Sequence, residues 1–411
     1  GANYLMKRNQ NALEPNMNKD PIVIAGTART PVGAFQGSLA KASAAELGAT
    51  AIEAAVERAG VTPDTIDEVM MGCVLPAGQG QAPARQAALG AGLPLSVGCT
   101  TVNKMCGSGM KTVMLAHDLI AAGTGRTLIA GGQESMTNAP YLLPKARGGH
   151  RLGHAEIVDH MFLDGLEDAY DRGTLMGEFA EQCASHYGFG REDQDDFAIE
   201  SLTRAKEAIE NGAFQREIAH VTIGAQDGEQ IVDTDETPLK ANVEKIPQLR
   251  PAFRKDGTVT AANSSSISDG AAALVLMKLS DAEKGGHVPL ARILGHATFA
   301  QEPRWFTTAP VYAIRTLLDR IGWDTSDPDL YEINEAFAVV AMTAMRDLDI
   351  GHDRLNIHGG ACALGHPIGA SGARIIVTLL AALERHGLSR GVAALCIGGG
   401  EATAMAFERF V

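Results

Sequence analysis

The stretch Val102-Asn-Lys-Met-Cys-Gly-Ser-Gly-Met110 is the part of this sequence from which the rest is best understood. It places Cys106 in a glycine-rich turn directly before an apolar run, 110–122, that is typical of a helix. A thiol there would lie at the positive end of a helix dipole, among backbone N–H groups without partners. We therefore expect a lowered thiol pKa and a nucleophilic role, with a buried structural cysteine as an equally good interpretation of this stretch alone.

Composition restricts the class of protein. The 411 residues are 45% hydrophobic and 20% charged, as in a globular protein with a large core, and the length suggests two or three domains. Forty-six glycines and few aromatic residues favour an α/β architecture with tight turns. The net charge of −14 argues against nucleic acid or an anionic membrane as a partner.

Cysteine usage and the N-terminal residues bear on location. Six cysteines without a CxxC or paired spacing indicate free thiols in a reducing compartment, and we expect a cytoplasmic protein. Residues 1–20 are polar and lack the apolar core of a secretory signal. We interpret them as a polar N-terminal extension or a remnant of expression.

Strand and helix patterns alternate along most of the chain. Ser43-Ala-Ala-Glu46 is a capping box, and the alanine-rich helix that it begins is expected to end at Gly60. Such alternation predicts a parallel or mixed sheet with helices on its faces. From about 137 to 265 the sequence is richer in charge, proline and glycine, with one long polar helix at about 191–211. We expect this segment to be an insertion carried on the α/β core.

An internal repeat relates the two halves of the sequence. Cys106-Gly-Ser-Gly-Met110 and its helix lead to Gly131-Gly-Gln-Glu134. Gly369-Ala-Ser-Gly-Ala373 and its helix lead to Gly398-Gly-Gly-Glu401. Two copies of one α/β unit would bring two sheet ends face to face, which is a natural place for a site. Chance agreement in a sequence rich in glycine and alanine is the alternative.

The second half carries three further groups that suit one chemistry. Asn334 opens a helical pattern, either as its N-cap or as a ligand for a water or carbonyl oxygen. His366 lies in a glycine-rich loop, and Cys396 precedes Gly398-Gly-Gly400, whose N–H groups could bind an anion. Acyl transfer through a thioester needs a thiolate, a base, oxyanion donors and a proton shuttle.

Competing motifs are weak. The Lys111-Thr112 pair lacks the P-loop spacing, and Gly398-Gly-Gly400 is not a dinucleotide-binding GxGxxG. Histidines are clustered near Asp159, but they lie in the least regular segment, and we expect no metal site. These histidines are His150, His154 and His160.

A series of motifs follows in order along the chain: Ala28-Arg-Thr-Pro-Val-Gly33, Pro83-Ala-Arg-Gln-Ala87, Val102-Asn-Lys-Met-Cys-Gly-Ser-Gly109, Gly131-Gly-Gln-Glu-Ser-Met136, Leu249-Arg-Pro-Ala-Phe253, Gly257-Thr-Val-Thr-Ala261, Asp269-Gly-Ala-Ala272, Asn334-Glu-Ala-Phe-Ala338, Gly365-His-Pro-Ile-Gly-Ala-Ser-Gly372 and Cys396-Ile-Gly-Gly-Gly-Glu401. In this order and spacing they resemble the thiolase family, the acetyl-CoA acetyltransferases and 3-ketoacyl-CoA thiolases. The resemblance covers the chain nearly from end to end.

The resemblance implies an α/β fold of two similar βαβαβαββ halves packed as five layers, αβαβα, with an inserted loop domain. The N-terminal half would comprise residues 21–136 and 268–288, and the C-terminal half residues 289–411. The inserted domain, 137–267, would bind CoA and take part in oligomerisation. With its long loop, 139–161, it implies a homotetramer built from two dimers.

The same resemblance implies roles for the reactive groups. Cys106 would carry the acyl group, and His366 would activate it. A water held by Asn334 would help His366 to polarise the thioester oxygen, and Cys396 would be the acid and base at the acetyl carbon. Backbone N–H groups of Cys106 and Gly398 would form a second oxyanion hole. The reaction would be thiolytic cleavage of 3-ketoacyl-CoA or its reverse, with CoA as co-substrate and no permanently bound cofactor.

The family pattern also implies a channel for the CoA pantetheine. Its wall would be formed by Leu166, Met176, Phe253, Ser265 and Phe337. The chain departs from the pattern at three places. Leu175 stands where acetoacetyl-CoA thiolases often have His, Gln226-Asp227 where many members have a basic pair, and Trp305-Phe306 where the family has small residues. Arg250, Arg254 or Lys255 would have to replace the missing phosphate contact.

Two alternatives stay open. One is another condensing enzyme of the same fold that joins other acyl thioesters, against which the pairing of His366 with Cys396 argues. The other is a catalytically silent acyl-CoA-binding subunit, against which the presence of all four reactive side chains argues. Acyl chain length and the physiological direction of the reaction do not follow from the sequence.

Overall fold

The computed structural model describes residues 20–225 and 228–410 of the protein. The strands are β1 (Ile22–Arg29), β2 (Gly33–Ala34), β3 (Glu68–Gly72), β4 (Gly98–Val102), β5 (Leu128–Ser135), β6 (Tyr141–Leu142), β7 (Val158–Asp159), β8 (Val221–Ala225), β9 (Gly228–Val232), β10 (Ser268–Lys278), β11 (Ala291–Ala300), β12 (Leu330–Ile333), β13 (Arg390–Ile397) and β14 (Glu401–Arg409). The α-helices are α1 (Ala44–Ala59), α2 (Pro83–Gly90), α3 (Ser108–Ala121), α4 (Met176–Tyr187), α5 (Arg191–Glu210), α6 (Glu236–Lys240), α7 (Leu279–Gly285), α8 (Ala309–Ile321), α9 (Ala338–Leu348), α10 (Ala361–Leu364) and α11 (Ile368–Arg385). None of the described helices combines the length and apolarity that a membrane crossing requires.

One sheet of ten strands runs through the molecule. Its order is β12-β13-β14-β11-β1-β10-β5-β3-β4, and β2 pairs with the start of β10. The pairs β12–β13, β3–β4 and β3–β5 are parallel, and the others are antiparallel. Strands β1 and β11 are joined by two residue pairs, Val23 with Arg292 and Ile24 with Ala291. The sheet therefore has two parts that meet at a narrow contact.

Helices α3 and α11 fill the space between the two parts of the sheet. Helix α3 packs on β3 and β5, α11 packs on β5, β10 and β13, and the two helices pack on each other. Helices α1 and α2 cover the outer face of one part, and α8 covers the outer face of the other, with α9 beside it. This is the predicted αβαβα order of layers, so the expected fold class is confirmed.

The strands are apolar on both faces because both faces are covered. In β13, Ala393 and Leu395 lie in the core around α3 and α11, whereas Val392 and Ala394 lie in the core under α8. Successive side chains of a strand point to opposite faces of a sheet. A strand that is buried on both faces is therefore an almost continuous apolar run, as 271–277 is.

Helices α3 and α11 contact each other at corresponding positions of the two sequence repeats, Gly109 and Gly372. A Cβ atom added at Gly109 would lie 2.7 Å from the Ala373 backbone nitrogen. A Cβ atom at Gly372 would lie 2.3 Å from the Met110 backbone nitrogen. Side chains of any size would force the helices apart at these two positions. The glycines of the two repeated Ser-Gly pairs thus lie where α3 and α11 pack together.

The ends of helix α1 agree with those predicted from the sequence, whereas the start of helix α9 differs from its prediction. The Ser43 hydroxyl accepts the Glu46 N–H, the Glu46 carboxylate accepts the Ser43 N–H, and Gly60 closes the helix in the left-handed conformation, as predicted. Helix α9, expected from 335, begins at Ala338 with Phe337 as its N-cap. The interpretation of Asn334 as a helix N-cap is therefore wrong, because its backbone continues β12 beside β13.

The segment between β5 and β10 carries two small hairpins, β6–β7 and β8–β9, and the helices α4 and α5. Helix α4 was not predicted. A buried ion cluster ties this segment to the core: Arg29 at the end of β1 donates to Glu217 at 2.6 Å and to Asp235 at 2.8 and 2.9 Å. The N-terminal extension up to residue 19 and the predicted departure at Gln226-Asp227 lie outside the described residues.

Replacing Gly372 by alanine tests the contact between α3 and α11. The added methyl group overlaps the Met110 backbone, and overpacking of this kind costs about 1–3 kcal/mol. We expect Gly372→Ala to lower the free energy of unfolding by that amount in urea titrations. Gly148→Ala is the control, because a Cβ there meets no atom of residues 20–225 and 228–410 within 4 Å. Equal stability of the two variants would contradict the constraint.

Candidate active site

The turn before α3 holds Cys106 in a constrained conformation. Met105 has a φ of +47°, which side-chain-bearing residues rarely adopt and which is costly unless the surroundings enforce it. The Ser108 hydroxyl enforces it, because it accepts the Lys104 N–H at 2.8 Å and donates to the Met105 carbonyl at 2.6 Å. Gly107 allows Ile397 to approach, since a Cβ there would lie 2.3 Å from the Ile397 Cδ1. The turn therefore sets the thiol against the end of β13.

The resting Cys106 thiol is harder to ionise than an ordinary cysteine. Burial raises its pKa, and the charge of Glu134 raises it further. Backbone N–H groups of Gly398 and of Cys106 itself are directed at the sulfur and oppose this effect without reversing it. The prediction of a lowered pKa is therefore wrong for the free protein. The physical reason is that burial raises the pKa of Cys106 by more than the N–H groups lower it.

His366 is buried and held in one tautomer. Its Nδ1 lies 2.5 Å from the Ser371 hydroxyl, which donates its own proton to the Pro367 carbonyl at 3.0 Å. The Nδ1–H must therefore be the donor to Ser371, which leaves the lone pair on Nε2. Burial and the charge of Arg374 lower the pKa of His366 to about 3. No residue in the described part of the chain pairs with Nε2, so this nitrogen is free to accept a proton.

Asn334 and Cys396 lie at the ends of neighbouring strands, β12 and β13. The Asn334 side chain is 1% exposed, and neither its oxygen nor its nitrogen has a partner among residues 20–225 and 228–410. Cys396 is fully buried. Burial and the charge of Cys106 hold the pKa of the Cys396 thiol well above its usual range.

One cavity of about 440 Å³ is lined by part of this set of residues. Cys106, His366 and Gly398 are among its lining residues, whereas Asn334 and Cys396 are buried and do not line it. The residues expected to form a CoA channel all line it: Leu166, Met176, Phe253, Ser265 and Phe337. Leu175 and Phe306, two of the departures from the family pattern, also line it. The catalytic roles of Cys106, His366, Asn334, Cys396 and Gly398 stay predictions.

Two models of the thiolase family match the sequence. "Thiolase, N-terminal domain" matches residues 22–280, and "Thiolase, C-terminal domain" matches residues 287–409. The chain belongs to the thiolase family. An acetyl-CoA acetyltransferase of Chromobacterium violaceum is 48% identical over 94% of this chain and 99% of its own length. Acetyl-CoA acetyltransferase 2 of Arabidopsis thaliana is 50% identical over 96% of this chain and 98% of its own length.

A solved structure is similar throughout. The crystal structure of the Bacillus anthracis acetyl-CoA acetyltransferase matches with a TM-score of 0.92 and 40% sequence identity, over 95% of this chain and 99% of that one. The expectations of a thiolase fold and of a thiolase-type acyltransferase are therefore confirmed.

Two residues of this thiolase position the site and were not singled out for that role in the sequence. Ser371 sets the His366 tautomer, although the sequence marked it only as a repeat position. The buried Glu134 accepts the N–H groups of Val74, Leu75 and Gly369 at 2.9 to 3.1 Å, and burial raises its pKa to about 7. It thereby ties the loop after β3 to the start of α11. The Gly-Gly-x-Glu motif was the only signal for it.

An ion pair joins the two loops whose N–H groups face the Cys106 sulfur. Lys104 lies two residues before Cys106, and Glu401 directly follows the glycines of Gly398-Gly-Gly400. The Lys104 ammonium contacts both carboxylate oxygens of Glu401 at 2.9 and 2.8 Å, and both side chains are largely covered. We expect the pair to limit the separation of the Cys106 and Gly398 N–H groups.

The raised pKa of Cys106 predicts the pH dependence of its alkylation. Only the thiolate reacts, and below the thiol pKa its fraction grows about tenfold per pH unit. We expect the rate of iodoacetamide labelling at Cys106 to keep rising above pH 8, measured by peptide mass spectrometry. Cys106 should still react faster than the fully buried Cys73 and Cys183. A plateau below pH 7, or equal labelling of half-buried Cys99, would contradict this description.

Separating Lys104 from Glu401 should affect turnover more than binding. In Lys104→Met the glycine loop loses its tether, and we expect kcat of thiolysis to fall about three- to tenfold, or roughly 1 kcal/mol, with little change in KM for CoA. The double variant Lys104→Met with Glu401→Met should recover part of the loss, because no charge is left unpaired. Lys111→Met, one turn into α3, is the matched control. An unchanged kcat in Lys104→Met would show that the ion pair is only a surface contact.

Proposed function

We propose that the protein catalyses CoA-dependent thiolysis of 3-ketoacyl-CoA, or the reverse Claisen condensation, through an acyl group on Cys106. One observation carries the proposal: the Cys106 thiol, whose pKa the backbone N–H groups of Gly398 and of Cys106 itself lower against burial, shares a cavity with the His366 imidazole, whose Nε2 has no partner among the described residues. Covalent acyl transfer needs a nucleophile, a base and oxyanion donors, and the thiol, the imidazole and the N–H groups supply these three functions.

In the first half-reaction, the Cys106 sulfur attacks the 3-keto carbon, and its proton passes to Nε2 of His366. The neutral imidazole suits this step because its Nδ1–H is already committed to Ser371. The protonated Nε2 then donates to the thioester oxygen of the departing group, with a water held by Asn334. The bond between carbons 2 and 3 breaks, and Cys396 protonates carbon 2 of the enolate to release acetyl-CoA.

In the second half-reaction, free CoA takes the acyl group. The CoA thiol gives its proton to the Cys396 thiolate and attacks the thioester carbon on Cys106. The N–H groups of Cys106 and Gly398 stabilise the oxygen of the tetrahedral intermediate. Cys106 leaves as a thiolate and recovers its proton from His366, so every group returns to its starting state. CoA is thus a co-substrate, and the proposal requires no permanently bound cofactor.

The pantetheine arm would lie in the channel formed by Met176, Phe253 and Phe337. The aromatic rings support this placement, because Phe253 and Phe337 pack edge to face with centroids 6.1 Å apart and line the cavity together. Arg172 lies on the same wall and is the cation that we propose for the CoA phosphates. Arg254, one of the expected substitutes, is paired with Glu178 at 2.7 Å.

The name of the relatives, acetyl-CoA acetyltransferase, supports acetyl-CoA as a substrate, and we propose acetoacetyl-CoA as the 3-ketoacyl-CoA. Leu175 and Phe306 leave the cavity wall apolar at two positions where the sequence departs from the family pattern. The reaction centre would therefore be well shielded from water during the transfer.

We also propose a role for the inserted segment, 137–267, in CoA binding and in assembly of a homotetramer. It supplies Leu166, Met176 and Phe253 to the cavity. Exposed apolar side chains on its long loop support an interface there. These are Tyr141, Leu143, Leu152 and Ile157.

Six free thiols support a reducing compartment, and we propose the cytoplasm.

The test is thiolysis of acetoacetyl-CoA by purified protein with CoA, followed by loss of the enolate absorbance. We expect turnover in the parent protein and in Cys99→Ala, which removes a thiol outside the cavity. Cys106→Ala should abolish turnover, and His366→Asn should lower kcat by about 10²–10⁴-fold.

The outcomes separate the alternatives. No turnover of acetoacetyl-CoA or of a longer 3-ketoacyl-CoA, with CoA still bound, would overturn the proposal in favour of a silent acyl-CoA-binding subunit. Condensation of other acyl thioesters without thiolysis would favour another condensing enzyme of this fold. Turnover that survives Cys106→Ala would remove the proposed nucleophile.

A further inference from the structure

Two histidines and one aspartate converge on the side of the molecule where α3 meets β11. His117 and Asp118 lie on α3, and His296 lies on β11. Nδ1 of His117 is 2.9 Å from Oδ1 of Asp118, and Nε2 of His296 is 2.8 Å from the same oxygen. Within the described ranges, this is the one group of three or more potential ligand residues whose donor atoms all lie within 4.8 Å of one another.

The thiolase chemistry makes no use of this group. Among the described residues that form the active-site cavity, none of the three appears. The histidines near Asp159, the other candidates in the sequence, are arranged differently. His160 is held by Asp164 at 2.6 Å and by the Ala77 N–H, while His150 and His154 are exposed in the long loop.

We propose that His117, Asp118 and His296 bind a divalent transition-metal cation of the Zn²⁺ class. Two imidazole nitrogens and one carboxylate oxygen are donors that Zn²⁺ prefers, with water as a fourth ligand. In a tetrahedral site with bonds of about 2.0–2.1 Å, the donor atoms are about 3.4 Å apart. The carboxylate therefore needs to withdraw by about half an ångström, which is easy for the Asp118 side chain because it is 56% exposed.

The surroundings both support and oppose a cation. The two imidazole rings are already oriented, edge to face with centroids 5.4 Å apart, so little side-chain entropy is lost on binding. The backbone of His296 is held by Arg320, which donates to its carbonyl at 3.0 Å. Burial and the Lys111 ammonium act against positive charge at His296, and the Asp118 carboxylate opposes both effects. Solvent reaches the site through Asp118.

A cation at this site would cross-link the two halves of the fold. Helix α3 begins two residues after Cys106, in the first half, and β11 belongs to the second. The contact between α3 and β11 at His117, Asp118 and His296 lies near the C-terminal end of α3, whereas Cys106 precedes its N-terminal end. The expected effect is therefore on the stability of the paired halves and not on turnover.

The test uses full-length protein that has been treated with EDTA and then alkylated at its reactive cysteine, so that catalytic thiols do not bind metal. Zn²⁺ is added while the melting temperature is recorded, and Co²⁺ is added while its d–d absorption is recorded. We expect one equivalent of either cation to raise the melting temperature and the Co²⁺ spectrum to be that of a tetrahedral site with nitrogen and oxygen ligands.

The variants His117→Gln and His296→Gln should lose both responses, while the matched control His154→Gln should keep them. The melting temperature without metal is the reference for each variant, which separates loss of the hydrogen bonds from loss of the cation. Equal responses in His296→Gln and in the parent protein would overturn the site. So would the absence of any cation-dependent change in the parent protein.

Discussion

The close contact of α3 and α11 at Gly109 and Gly372 is the constraint on which the rest of the structure depends. Each helix begins in a loop that carries a reactive residue, Cys106 before α3 and His366 before α11. Because backbone meets backbone at the contact, no side chain separates the two helix starts. The two halves of the sheet can then pack on opposite sides of one helix pair, and their loops open onto one cavity.

The environment of the site keeps its groups uncharged at rest. Burial lowers the pKa of His366 to about 3 and raises the pKa values of Cys106 and Cys396. The free protein therefore does not hold a thiolate and imidazolium pair. Instead it holds an uncharged Cys106 thiol, with backbone N–H groups acting on its sulfur, and an unprotonated Nε2 of His366. These groups stabilise charge only when it develops on a bound substrate.

Prediction from the sequence succeeded where local pattern and chemistry agree. The capping box at Ser43 and the strand runs follow from spacing and residue type, and Phe253 and Phe337, which the family motifs assign to the channel, line the cavity. It failed for the N-cap interpretation of Asn334 and for the direction of the Cys106 pKa shift. Both depend on what surrounds a residue, because a strand can continue through a helix-capping residue and desolvation can outweigh a helix dipole.

The sequence by itself determined the α/β alternation and the repeated glycine turns, because these are set by residue type and spacing along the chain. Only the tertiary structure decided the tautomer of His366, the ion pair of Lys104 with Glu401 and the meeting of His117 with His296. These contacts join residues that are far apart in the chain or depend on hydrogen bonds within a packed loop. Distance in space and burial, which set their energies, are not encoded in any local pattern.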